Sequence, residues 1–237
     1  MSQNNKLVVY ANTQQRENSL IRNVYLFMSL GLLLTAAVAY LASNSMTVVR
    51  FFLLNPVGSI VLVVAQLAVV FFLSARIERL STSAATLCFF GYSALTGISL
   101  SAIFIAYAQI TIWKAFLTTA LMFVGMTVYA SVSKRNIASW SRYLMMGLWG
   151  LIIASLLNFL FRSTMLDMII SLVGIVVFTG LTIWDTKRVV EMNREYGAEM
   201  TREEHTKLGI MGALNLYLDF LNIFLYLLRI YAAADRD

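Results

Sequence analysis

Charge is what this 237-residue chain has least of: Asp, Glu, Lys and Arg make up 13% of it, against 59% hydrophobic residues and a mean hydropathy of +0.75. Soluble domains carry about 25% charged residues, so the composition excludes an ordinary soluble domain and points to the membrane. A single cysteine, Cys88, lies inside an apolar run and cannot close an intramolecular disulfide. A single histidine, His205, lies in the most charged segment and cannot complete a multi-His or Cys/His metal site. Zinc hydrolysis, Cys/His catalysis and haem ligation lose their ligands together. No linker, low-complexity tract or internal repeat breaks the pattern, which argues against an inverted-repeat transporter. The net charge of +6 does not form the basic stripe of a nucleic-acid binder; the basic residues punctuate apolar runs instead.

What the chain has in quantity is apolar sequence without charge, at 23–49, 51–75, 80–113, 115–133, 143–161 and 168–184, then at 208–228, where Asp219 alone interrupts. Each is close to the roughly 20 residues a helix needs to cross a hydrocarbon core. The longest, 80–113, reads as one helix because Ser81-Thr82-Ser83 before it and Gln109, Thr111 and Trp113 after it resemble interface ends. The expected fold is an all-α membrane protein, a single integral membrane domain over 1–237. It comprises a cytoplasmic tail at 1–21, seven helices near 22–42, 55–75, 84–108, 113–132, 142–162, 167–187 and 210–231, and a cytoplasmic loop at 188–207. Eight helices are the alternative count. The loop, with its charge-rich EMNREYGAEMTREEHTK, reads as a short helical extension and a turn at Gly197.

Of 18 Lys and Arg, 13 fall in the N-terminal tail and the second, fourth and sixth loops; Arg50, Lys114, Arg162, Arg229 and Arg236 fall on the other side. The positive-inside rule then makes the N-terminus cytoplasmic and, across seven spans, the C-terminus external. Nothing in the polar start followed by a long apolar run resembles a cleavable signal.

An ionisable residue inside a transmembrane helix costs at least ~2.5 kcal/mol on insertion scales, which makes each one a candidate site. Asp219 sits near the middle of the last span. With Gly212, Asn215, Asn222 and Tyr226 it follows a 3-4-3-4 spacing, which confines all five to about 80° of the helix surface. The structural alternative is that Asn215 and Asn222 only join helices by hydrogen bonding. A second acid, Asp185 in GLTIWDTKR, lies near the cytoplasmic end of the sixth span, at the negative end of the helix dipole. Two close acids tend to titrate as a pair, so Asp185 and Asp219 form a candidate proton-sensitive site. Arg76, in FFLSARIERL, ends the second span at the same membrane face and is the candidate counter-charge. Snorkelling to the interface is the competing role for Arg76. With these span limits the two acids lie at different depths, about 10 Å apart along the axis at 1.5 Å per residue.

The last span, GALNLYLDFLNIFLYLLRI at 212–230, resembles the signature of the Bax-inhibitor-one (transmembrane Bax inhibitor motif) family. YSALTGISLSAIF (92–104), KRNIASW (134–140) and VFTGLTIWDTKR (177–188) resemble its bacterial members. The resemblance implies seven helices, six surrounding a central C-terminal helix, in a bacterial inner membrane. It also implies a pH-sensitive calcium leak with Asp185 and Asp219 as proton sensor and Arg76 as latch. Where the family has Tyr before the first acid and Gln two after it, this chain has Trp184 and Lys187, which puts a cation beside the sensor. Some eukaryotic members are described with a re-entrant last segment; here its 21 uncharged-but-one residues, 208–228, read as a full span.

The leading function is therefore a passive, pH-gated cation channel, with Ca²⁺ as permeant ion and weak metal ligation by Asp185 and Asp219, helped by Asn215, Asn222 and Tyr226 on the same face. No tightly bound cofactor is expected. A proton/calcium antiporter would use the same acids. A non-conducting regulator of membrane proteolysis or stress survival would use the tail and loop, with a membrane-anchored ATP-dependent protease as the partner that the resemblance suggests. Expected partners otherwise are the lipid bilayer, Ca²⁺ and protons, and no nucleic acid. Enzymatic readings fail on missing parts: His205 is no general base for an intramembrane serine, and the Tyr-Asp and Gly-x-Gly-Asp contexts of intramembrane aspartyl proteases are absent.

Overall fold

The computed structural model describes the backbone of residues 3–133, 139–196 and 200–235, and side chains within 19–133, 139–195 and 200–235. The turn expected at Gly197, Lys134 and Arg135, Arg236, and the side chains of Lys6 and Arg16 lie outside the described residues. Among the described residues every regular element is a helix: α1 (Gln3–Ser43), a short α2 (Met46–Val48) continued by the π-helical π1 (Val49–Leu54), α3 (Pro56–Arg76), α4 (Thr82–Ala106), α5 (Gln109–Val132), α6 (Trp140–Phe161), α7 (Thr164–Tyr196) and α8 (Arg202–Ala234). Seven of them, α1 from Ser19 onward and α3 to α8, are long and apolar enough to cross a membrane. The stretch 80–113 holds one span, α4, followed by the start of α5; the eight-helix count does not apply.

Element ends follow local chemistry. Asn55 caps α3 by accepting the Val57 N–H at 2.9 Å, with Pro56 in the first turn where its missing N–H costs nothing. Two boundaries differ from the sequence-based spans. The tail 1–21 is not separate from the first helix, since α1 begins at Gln3; no Gly or Pro occurs between 3 and 30 to break it. The loop 188–207 is mostly helix as well. α7 runs on to Tyr196, and α8 starts at Arg202 because Thr201 and Glu204 form a capping box. The Glu204 carboxylate accepts the Thr201 N–H at 2.7 Å, and the Thr201 hydroxyl accepts the Glu204 N–H at 3.2 Å. Hydropathy alone placed these ends at the lipid boundary, where the backbone has no reason to stop.

The chain forms two compact units, Met1–Ala106 with Val189–Leu214, and Tyr107–Arg188 with Asn215–Asp237, so that α7 and α8 each contribute to both. In the first unit α1 packs along α4. Thr35 donates to the Ser93 carbonyl at 2.9 Å, and the Phe27 ring meets the edge of Phe89. Gln66 of α3 reaches the Leu95 carbonyl at 3.0 Å and the Ser99 hydroxyl at 2.6 Å. In the second unit Phe116 and Phe123 of α5 pack on Phe220 of α8, and Tyr226 covers Gly174 of α7. The C-terminal end of α8 is clamped twice, by Arg229 to Asp167 at 3.3 Å and by Asp235 to Lys114 at 3.2 Å. Burial is uneven: 67% of the most apolar stretch of α8 is buried, against 39% for α4 and 6% for α6. α8 is the enclosed helix, and the other spans turn apolar side chains such as Phe71, Leu121, Phe159 and Val176 outward, as lipid requires.

Two predictions follow from these contacts. A Cβ on Gly97 would lie 2.7 Å from the Val38 Cβ and 2.8 Å from the Thr35 carbonyl oxygen, so Gly97→Ala should destabilise the α1/α4 contact by about 1–3 kcal/mol. Thermal unfolding in detergent checks this, and an unchanged midpoint would show that the helices do not approach so closely. At the other clamp, the Thr111 hydroxyl at 2.7 Å and then Lys114 hold the exposed Asp235 carboxyl below its usual 3.8. Such a group stabilises the fold above its ordinary value, and the contribution is lost as pH falls through the lowered one. In carboxyl-carbon NMR titrations, Thr111→Val should raise the Asp235 midpoint, and by more than Lys114→Gln does.

Candidate functional site

Helical spacing prepares the site on both strands of the α7/α8 pair. Thr182, Asp185 and Thr186 share one face of α7 at i, i+3 and i+4, and Asn215 and Asp219 share one face of α8 at i, i+4. In the second unit these faces meet. Asp185 is 7% and Asp219 5% exposed, and their carboxyl groups lie within hydrogen-bonding contact of one another. Asn215 donates from Nδ2 to Asp185 Oδ1 at 3.2 Å. The Thr182 hydroxyl lies beside Asp219 but also donates to the Phe178 carbonyl at 2.8 Å, leaving one hydrogen for two acceptors. Asp219 Oδ2 and Thr186 Oγ1 are buried without a hydrogen-bond partner among the described residues.

Carboxylate oxygens only accept, so two ionised acids in contact repel and leave lone pairs unsatisfied at a cost of several kcal/mol, about the penalty for burying an unpaired charge. A proton shared between them removes both faults. A cation between them does the same. The arrangement therefore suits the exchange of a proton for a small hard cation. The four carboxylate oxygens by themselves fall short of a tight Ca²⁺ cage of six to eight oxygens, Asn215 turns its amide nitrogen to Asp185, and no cluster of three or more His, Cys, Asp or Glu side chains placed to hold a metal occurs among the described residues.

The axial offset of about 10 Å expected between the acids is roughly halved by the register of the two helices. α7 and α8 cross in a register that sets Thr182, Gly174 and Asp167 opposite Asp219, Tyr226 and Arg229. Asp185 is then only about one turn from the level of Asp219, a gap that two side chains span. Of the other face residues, Asn222 turns its amide to the Leu218 carbonyl of its own helix at 2.8 Å, and Tyr226 is engaged with Gly174, Phe178 and the Arg229 guanidinium. Neither reaches the acids. The opposite face of α8 is equally enclosed, with Leu214, Tyr217 and Leu228 at 0–1% exposure.

Of the cations that the sequence singled out, Lys187 is not disposed as expected. Arg76 closes α3 in the first unit with an exposed side chain. Lys187, expected beside the sensor, instead donates to the Ser133 carbonyl at the end of α5 at 3.2 Å, where a helix C-terminus favours a positive charge. The cation within electrostatic reach of Asp185 is Arg188, which lies over the Trp184 ring at 5.1 Å. Sequence reasoning missed Thr182, for which the i, i+3 spacing to Asp185 was the available signal.

The sequence model described as "Inhibitor of apoptosis-promoting Bax1" matches residues 17–236 of the chain. The chain belongs to the Bax inhibitor-1 family. Among its relatives, the inner membrane protein YbhL of Escherichia coli is 44% identical over 208 residues, covering 88% of each chain. An uncharacterized protein of Borreliella burgdorferi is 38% identical over 230 residues, or 95% of this chain and 98% of its own. One from Deinococcus radiodurans is 37% identical over 230 residues, or 95% and 96%. As a Bax inhibitor-1 family member the chain is an integral membrane protein, with the acid pair inside the matched region on α7 and α8.

Proposed function

We propose that this protein is a passive, pH-sensitive calcium leak of a bacterial inner membrane, gated by the Asp185/Asp219 pair. The observation that carries the reading is the pairing of two buried carboxyls, one oxygen of which, Asp219 Oδ2, is buried with no hydrogen-bond partner among the described residues. With both acids protonated the pair is neutral, with one shared proton it is a hydrogen-bonded monoanion, and fully ionised it offers hard oxygens to Ca²⁺. Binding by two acids is weak, which suits an ion that must leave as readily as it enters. Arg76 is assigned the latch on the family resemblance, competing with the cation for the ionised pair. An exchanger would use the same two acids and is separated from a leak by whether Ca²⁺ movement drives proton movement the other way.

The test is ⁴⁵Ca²⁺ flux into proteoliposomes over about pH 5 to 8, since a coupled acid pair that gates the flux makes it depend on pH. Wild-type flux should vary severalfold with pH, and Asp219→Asn should abolish the flux or make it independent of pH. No flux above empty liposomes from folded, inserted protein sinks the leak and directs attention to a protein partner, such as a membrane-anchored protease, at the α7/α8 connection.

The proposed orientation, N-terminus cytoplasmic and C-terminus periplasmic, rests on the distribution of Lys and Arg. In a Cys88→Ala background, Asp237→Cys should react with a membrane-impermeant maleimide in intact spheroplasts. Reaction only after lysis would place the C-terminus inside and reopen the re-entrant topology.

A further inference from the structure

Trp184 and Lys187 lie one residue before and two residues after Asp185, and the structure separates what the two do. Lys187 is turned away to the Ser133 carbonyl. Trp184, half-buried, supplies the surface on which Arg188 rests, with the guanidinium 5.1 Å from the ring centroid at i, i+4 on α7. Arg188 is exposed and lies within electrostatic reach of Asp185, three residues back on the same helix, yet makes no ion pair with it among the described residues. An arginine side chain is long enough to reach a carboxylate at i−3. Its position is therefore a competition between the Trp184 π-face and the Asp185 carboxylate.

We propose that Arg188 is a parked counter-charge that tunes cation occupancy of the Asp185/Asp219 pair, and that Trp184 sets how often it is available by holding it off Asp185. The inference rests on the leak reading and concerns how strongly its site takes Ca²⁺. With Arg188 on Trp184, Asp185 is open to a cation or to the proton it shares with Asp219, while Asn215 keeps its hydrogen bond to Oδ1. With Arg188 released, its guanidinium takes the carboxylate by charge-assisted hydrogen bonds and excludes a divalent cation from the same oxygens. The groups around Asp185 in its unit are then Asp219 and Asn215 from α8, and Thr182 and Arg188 from α7. Arg188 is the only cation among them. Arginine is suited to both positions, since its flat, weakly hydrated guanidinium stacks on indole and forks onto carboxylate, which a lysine ammonium does less well.

The proposal predicts a dependence between two residues rather than a single loss. Arg188→Gln removes the competing charge and should tighten Ca²⁺ binding by roughly tenfold, the scale of one charge removed from beside a partly buried site, and raise flux at low Ca²⁺. Trp184→Leu frees Arg188 and should weaken binding and lower flux by about two- to fivefold, the scale of one exposed cation–π contact. Trp184→Tyr keeps an aromatic face and should restore most of the difference. The deciding variant is the double one: Trp184→Leu should have no effect once Arg188 is Gln. Binding is read by ⁴⁵Ca²⁺ equilibrium measurements on the full-length protein in detergent, and flux in proteoliposomes.

If Arg188→Gln leaves both binding and flux unchanged, Arg188 is not a counter-charge and the proposal is overturned. If the two substitutions act additively, Trp184 does not work through Arg188 and the parking is overturned. Should Trp184→Leu fail to fold, Arg188→Gln at its exposed position still decides the first point, and Trp184→Met, which fills much of the space without an aromatic face, made with and without Arg188→Gln, decides the second. Wild-type protein that neither binds nor passes Ca²⁺ overturns the leak reading, and this inference with it.

Discussion

Two carboxyl groups in contact inside an apolar helix pair form the interaction on which the rest of the arrangement depends. Neither Asp185 nor Asp219 is surrounded by enough donors to be stable as an isolated anion, and water is scarce at 5–7% exposure. They are tolerable together because a shared proton or a cation satisfies both. That condition demands a particular register of α7 against α8, because a slip of one residue swings a side chain by about 100° and parts the acids. The register is held on both sides of the site. Val189 meets Gly212 in the first unit, and in the second Tyr226 lies over Gly174 while Arg229 pairs with Asp167.

Many other polar residues of the spans show why the pair stands out. Thr86, Ser93, Thr119, Thr127, Ser131, Ser171 and Thr182 each donate to the carbonyl four residues back in their own helix. Asn222 does the same with its amide. A hydroxyl that returns its hydrogen to its own backbone is inexpensive in lipid. A carboxylate has no hydrogen to return, so it must be protonated, paired or ligated. The chemistry that separates a candidate ion site from ordinary polar decoration is thus the absence of a donor, and it selects Asp185 and Asp219 from a chain with many membrane-embedded polar groups.

Much of this was legible in the sequence, and the misses have physical causes. The seven spans follow from hydropathy, which lipid enforces residue by residue. The acids were visible because charge in an apolar run is costly wherever the helix lies. The capping box Thr201-x-x-Glu204 was equally legible and moves the start of α8 outside the lipid boundary. Hydropathy ignored it because the box ends a helix, not a membrane crossing. With the ends misplaced, the acids appeared about 10 Å apart in depth. Asn222 and Tyr226 lie on the expected face yet do not reach the site, because sharing a face does not fix height or rotamer.

The sequence by itself determined that this is a seven-span helical membrane protein with two acids at helical positions that cannot both face lipid. It did so because the cost of burying charge and the length of a crossing are local properties. Only the tertiary structure decided that the acids touch, that Lys187 turns to the end of α5, and that Arg188 lies on Trp184 beside Asp185. Those outcomes depend on the register of two helices and on which of several partners a long cationic side chain finds. Neither is a property of any one segment.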